Sequence, residues 1–174
     1  MRIVLASIAA PTLTLLVACA GPPARGFREV DPVTTRYINP GTLAALPGFT
    51  HAVRVGPTIY VSGEVALDSA GQLVGGGDLR AQAVQAFANL ATVLRIAGAV
   101  PADVAKLTIY VVDYAPRDLS IIREAALEFF PQRNPPAGMV VGVQALPREG
   151  LLLAVDATAV VRAMFQPLDQ RDRR

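Results

Sequence analysis

Asp156 is the only acid in Leu151–Val161, a run otherwise built from Leu, Ala, Val and Thr. Burial in such a strand raises a carboxyl pKa unless the group is paired. Two roles fit it: an acid that positions a water, or a structural aspartate paired across a subunit interface with an arginine. Ser62 is a nucleophile only if a base takes its proton. The single histidine, His51, does not complete a Ser-His-Asp order. Ser62 therefore also reads as a strand hydroxyl bonded to backbone, and His51 as a structural residue at a strand start. Gly75-Gly76-Gly77 has no Lys-Ser/Thr after it, which removes a phosphate cradle and leaves a glycine-rich lead into a helix. With one cysteine, Cys19, and one histidine, neither an internal disulfide nor a Cys/His zinc cluster is available. No metal and no other cofactor is expected.

The 174 residues suit one domain, and net charge is only +2. No long basic run is present, so the chain lacks a nucleic-acid footprint and no nucleic acid is expected as a partner. The basic end Gln170–Arg174 reads as a solvated terminus. Composition is 52% hydrophobic and 17% charged. Part of that apolar excess is the N-terminus, where Arg2 precedes the apolar stretch Ile3–Leu16 and Leu16-Val17-Ala18-Cys19. This last tetrapeptide matches a bacterial lipobox, with a small residue before the cysteine that would carry the lipid. The apolar run is short for a spanning helix. Residues 1–18 are thus expected to be a lipoprotein signal peptide, with an uncleaved anchor or a plain secretory signal as the alternatives, Cys19 the lipidation site, and 19–33 a linker. Localisation would be exported and membrane-anchored at the cell envelope through the lipid on Cys19. Ala20, where an aspartate would argue for inner-membrane retention, mildly favours the outer membrane.

The elements that must position the chemistry follow. Strands are predicted at Thr34–Ile38, His51–Val55 and Thr58–Val65, the last two forming a hairpin around Gly56-Pro57. Asp78 is expected to cap a helix running to Ala97, with Gly98 ending it. Leu79, Ala83, Phe87, Leu90, Leu94 and Ala97 form its apolar stripe, with Gln82 and Asn89 lying away from it. Val104–Val112 reads as a strand, and Asp118 as the cap of a second helix that Pro131 stops. Met139–Ala145 and Leu151–Val161 read as the final strands. The order β-β-β-α-β-α-β-β predicts an α+β fold with two helices on one face of a mixed sheet. The last strand is apolar on both sides, yet no segment is left to cover the second side. A homo-oligomer is therefore expected, with sheets facing a shared centre.

Several segments in order resemble the RidA/YjgF family: His51-Ala52-Val53-Arg54-Val55-Gly56, Thr58-Ile59-Tyr60-Val61-Ser62-Gly63, Gly77–Gln82, Asn89-Leu90, Ala97-Gly98-Ala99, Val111-Val112-Asp113, Pro135-Pro136-Ala137, Val141-Gly142-Val143 and Arg148–Leu151. The resemblance covers about His51–Val161 and sets the domain at 34–163, followed by a flexible tail at 164–174. It implies a chorismate-mutase-like fold and a homotrimer with small-molecule clefts between subunits. It also implies that deaminating relatives hold a 2-imino acid by an arginine after the Pro-Ala pair, where this chain has Gly138. Phe49 stands where a tyrosine is common, Asp156 where a glutamate near the water is common, and Glu64 where a glutamine is frequent. Ser62 and Gly63 are kept. By resemblance the ligand-binding cleft comprises Phe49, Glu64, Arg123, Gly138 and Val140, with Asp156 and Ser62 as catalytic candidates. Arg123 is expected to border the cleft and could substitute for the missing charge, or be a solvated helix-face arginine.

Two functions follow. One is hydrolysis of an imine- or enamine-type small molecule lacking the usual carboxylate. The other is a non-catalytic trimer binding a small ligand or peptide at the cell envelope. A ribonuclease role, sometimes attached to this family, finds no basic, aromatic-lined groove in the sequence.

Overall fold

The computed structural model describes residues 34–44, 46–130 and 133–161, all within the compact unit Pro32–Arg174. The expected signal peptide, lipidation site Cys19, linker and tail lie outside the described residues. The elements are β1 (Thr35–Ile38), β2 (Ala52–Val55), β3 (Thr58–Val65), α1 (Leu79–Ala97), β4 (Val104–Val112), α2 (Asp118–Phe129), β5 (Ala137–Val143) and β6 (Leu153–Val160). Their order is the expected one. The sheet runs β1-β2-β3-β6-β4-β5. Only β4 and β5 pair in parallel, because α2 carries the chain back across the sheet between them. Among the described residues no helix is long and apolar enough to cross a membrane.

Helix α1 forms where its caps predict. The Asp78 carboxylate accepts from the Arg80 and Ala81 N–H groups at 2.9 and 3.1 Å. Gly98 ends the helix at φ +83°, a left-handed conformation that favours glycine. Arg54 Nη1 donates to the Ala97 carbonyl at 2.8 Å, placing a cation on the negative end of the helix. Asp118 differs from expectation. It is the first residue of α2, and its carboxylate accepts from the Ala115 N–H at 2.8 Å, so it closes the turn before the helix instead of capping it. The helices meet through Phe87, Phe129 and Phe130, with ring centroids 4.6–6.1 Å apart. Beneath them Ile59, Val61, Leu107, Ile109, Leu153, Val155 and Ala157 complete the main core.

Two polar residues off the apolar stripe are buried, which the helical pattern did not foretell. Gln82 is fully buried; its amide donates to the Gly75 and Gly150 carbonyls, and its oxygen accepts from the Leu152 N–H. Asn89 donates to the carbonyls of Val65 and Leu67 at 2.8 and 2.9 Å. These amides pin loops to α1 whose backbone groups would otherwise be unpaired. Gln82→Ala is therefore expected to destabilise the fold by about 2–3 kcal/mol, read by urea denaturation.

The second side of the sheet is not wholly bare, which corrects the expectation that the chain has nothing left to cover it. At one end Val65, Leu67, Leu151 and Ala154 form a second core, joined by Leu46, Leu73, Tyr110 and Leu146 from strand ends and loops. Leu151 accordingly packs in this second core, not in line with Leu153. The other end stays open. The register aligns Tyr37, Val53, Tyr60, Thr158, Lys106 and Ala137 in one row across all six strands. Tyr37, Tyr60, Met139 and Val160 are exposed on that side.

Candidate functional site

A bulge positions the site. β3 pairs with β6 as Val61↔Ala157 and then as Glu64↔Val155, so Ser62-Gly63 holds one extra residue. An inserted residue bends the strand and reverses the alternation beyond it. Val65 therefore faces Ala154 and the second core, not the side shared by Ile59 and Val61 that simple alternation assigned. Glu64, placed by alternation with Tyr60 and Ser62, instead lies opposite the core residue Val155.

Beside the bulge is a cavity of about 310 Å³. Phe49, Thr50, His51, Ser62, Glu64, Asn89 and Asp156 line it, together with small and aliphatic residues that include Ala44, Leu46, Val61, Val65, Pro147 and Ala154. Of the sequence candidates, four come together here: Phe49, Ser62, Glu64 and Asp156. Arg123, Gly138 and Val140 do not line the cavity. Arg123 is exposed on α2. Val140 sits opposite Ile109 and packs against the main core.

Gly138 lies opposite Leu107 on β4. A Cβ there would stand 2.8 Å from the Leu107 carbonyl oxygen, closer than side chains are found to approach backbone. Any residue other than glycine thus requires β5 to shift. Gly138→Ala is expected to lose about 1–3 kcal/mol in thermal or urea denaturation, and Gly138→Arg carries the same strain.

The Ser62 hydroxyl donates to the Thr50 carbonyl at 2.6 Å, which commits its proton to backbone. Asp156, half-buried on β6, faces Thr108 of β4. The Tyr110 hydroxyl reaches it diagonally across the strands and donates to one carboxylate oxygen at 3.1 Å. Asp156 is thus held by a phenol of its own chain; no arginine pairs with it among the described residues. The carboxylate pushes the Tyr110 pKa up from 10.0, chiefly through this hydrogen bond, so the phenol remains a donor at neutral pH.

The buried pair of His51 and Glu64 is the feature that sequence reading missed. His51 Nδ1 lies 2.9 Å from one Glu64 oxygen and 3.2 Å from the other, with the residues 8% and 3% exposed. Burial raises the Glu64 pKa above 4.5, while the hydrogen bond and charge of His51 pull it down. His51 Nε2 is buried without a hydrogen-bond partner among the described residues. The hairpin register held the signal, since it sets His51 across from Ser62, and the bulge then turns Glu64 to the imidazole.

The site combines a tethered carboxylate, a buried acid–imidazole pair and a cavity of small-molecule size within an α+β domain. The family model described as Endoribonuclease L-PSP matches residues 40–161. A 2-iminobutanoate/2-iminopropanoate deaminase of Rattus norvegicus is 39% identical over 118 residues, 67% of this chain and 82% of that one. The RidA structure from the Antarctic bacterium Psychrobacter sp. PAMC 21119 superposes with a TM-score of 0.66 at 28% identity, covering 72% of this chain and 99% of that one. A Yersinia pestis protein of the conserved Rid family, YyfB, described as of unknown function, is 44% identical with a TM-score of 0.59, covering 73% and 98%. The chain belongs to the RidA/YjgF family, and the mixed sheet with two helices is the chorismate-mutase-like fold expected of it.

Proposed function

We propose that this protein hydrolyses a small imine or enamine that carries no carboxylate, at the cavity lined by Asp156. The observation that carries the reading is the Tyr110–Asp156 pair at the edge of a small-molecule cavity whose lining includes no arginine. Asp156 accepts a proton from a water that attacks the imine carbon, and the proton passes to the leaving nitrogen. The C=N bond is replaced by C=O, and ammonia leaves. The deaminase relatives support the reaction class, and Gly138 in the arginine position sets the substrate apart from theirs.

The reading includes a homotrimer, which buries the exposed Tyr37, Tyr60, Met139 and Val160 against neighbouring copies, and export as a lipoprotein anchored through Cys19. Cys19→Ser is expected to move the protein out of the membrane pellet on fractionation.

The test generates butanimine from butylamine with an amine oxidase, and 2-iminobutanoate from an amino acid with an amino-acid oxidase. Ammonia release is followed against the same mixtures without the protein. The protein is expected to speed release from butanimine and leave that from 2-iminobutanoate unchanged. Acceleration with 2-iminobutanoate alone would mean that another group clamps the carboxylate, with Arg123 the first to replace by alanine. No effect on either imine leaves the alternative, a trimer that binds a ligand without turnover.

A further inference from the structure

We infer that the cavity selects a small organic cation, an iminium or ammonium group, with Glu64 and Asp156 as its counter-charges. This rests on the imine-handling reading of the same cavity and names the charge of its ligand. Glu64 and Asp156 are the charged side chains of the lining, and neither Lys nor Arg is among its residues. The hydrogen-bond inventory points the same way. The Ser62 hydroxyl is spent on Thr50, the Asn89 amide on Val65 and Leu67, and His51 Nδ1 on Glu64. The Thr50 hydroxyl can turn either way.

What remains is acceptor capacity. One Asp156 oxygen is bonded to Tyr110, and no bond to the other is found among the described residues. His51 Nδ1 is spent on Glu64, and its Nε2 is buried without a partner among the described residues, so the imidazole offers the ligand no further donor. A ligand rich in N–H donors fits this set, and a carboxylate does not. Phe49, at 67% exposure on the cavity rim, offers an aromatic face to the same cation. The raised pKa of Glu64 marks a buried carboxylate whose charge His51 only partly compensates, and a bound cation completes the compensation.

The test titrates the protein at pH 7.5 with benzylammonium chloride and with sodium benzoate, similar in shape and opposite in charge, by isothermal calorimetry. Neither has a C=N bond, so binding is read apart from turnover. Benzylammonium is expected to bind at least about tenfold more tightly than benzoate, and Glu64→Gln to weaken it by about tenfold or more. Asp156→Asn is a second variant with the same expected direction, and thermal melting verifies that each is folded. Equal or tighter benzoate binding, no saturable benzylammonium binding, or unchanged affinity in both folded variants overturns the inference. Hydrolysis without cation preference removes this inference alone; cation preference without hydrolysis leaves it standing and removes the imine reaction.

Discussion

Asp156→Asn is expected to lower butanimine hydrolysis by about 10²–10⁴-fold, the range lost when a positioned general acid–base group is removed. The substitution keeps the shape and an oxygen for the Tyr110 hydroxyl, but the amide cannot take a proton from water. The loss should therefore fall on kcat, and the melting temperature should move little. Tyr110→Phe separates holding from chemistry. It removes the 3.1 Å hydrogen bond and leaves the carboxylate in place. A hydrogen bond to a charged group contributes about 1.5–3 kcal/mol, so a smaller fall of roughly tenfold or more is expected. Rates of ammonia release check both variants. If Asp156→Asn retains wild-type kcat, Asp156 is not the proton acceptor and the proposed mechanism falls.

What the sequence made legible divides along physical lines. Helix α1 could be bounded to the residue because Asp78 and Gly98 act locally, through hydrogen bonds and backbone conformation that neighbours do not override. The succession of elements along the chain followed from β-branched runs and turns for the same reason, whereas the place of β6 between β3 and β4 did not. Side-chain facing in β3 did not, because one extra residue at Ser62-Gly63 reverses the alternation, and two-residue periodicity carries no mark of it. That reversal joins His51 to Glu64. Gln82 and Asn89 lie away from the apolar stripe, and the helical pattern gave no sign of their burial, because burial of an amide depends on which distant carbonyls need partners, here Gly75, Gly150, Val65 and Leu67. Among site candidates, Asp156 was found as an acid in an apolar strand, whereas its Tyr110 tether depends on the β4–β6 register. Phe49, Glu64, Arg123, Gly138 and Val140 came from resemblance alone; the first two line the cavity, and the other three lie away from it.

Glu64→Ala is expected to cost the fold about 3–5 kcal/mol, because it leaves His51 buried without its partner. Glu64→Gln keeps an oxygen facing Nδ1 and should cost much less, and comparing it with wild type shows how the carboxyl titrates. Burial raises the folded pKa of Glu64 above its ordinary 4.5, so the native state holds this proton more tightly than the unfolded chain does. The favourable contribution is fully present below 4.5 and is lost as pH rises through the folded pKa. Wild-type stability should thus decline relative to Glu64→Gln across the window that opens at 4.5 and closes at that raised value. His51 and Asp156 are the other titratable groups lining the same cavity. Asp156 is common to both proteins, so the difference reports the Glu64 carboxyl together with its imidazole. Urea midpoints over a pH series measure it. A difference that grows in favour of the wild type with rising pH would mean that His51 outweighs desolvation, so that the pair is a net ion pair in the folded protein. A declining difference keeps the carboxylate short of compensation, the condition under which a cation has most to gain by entering beside it.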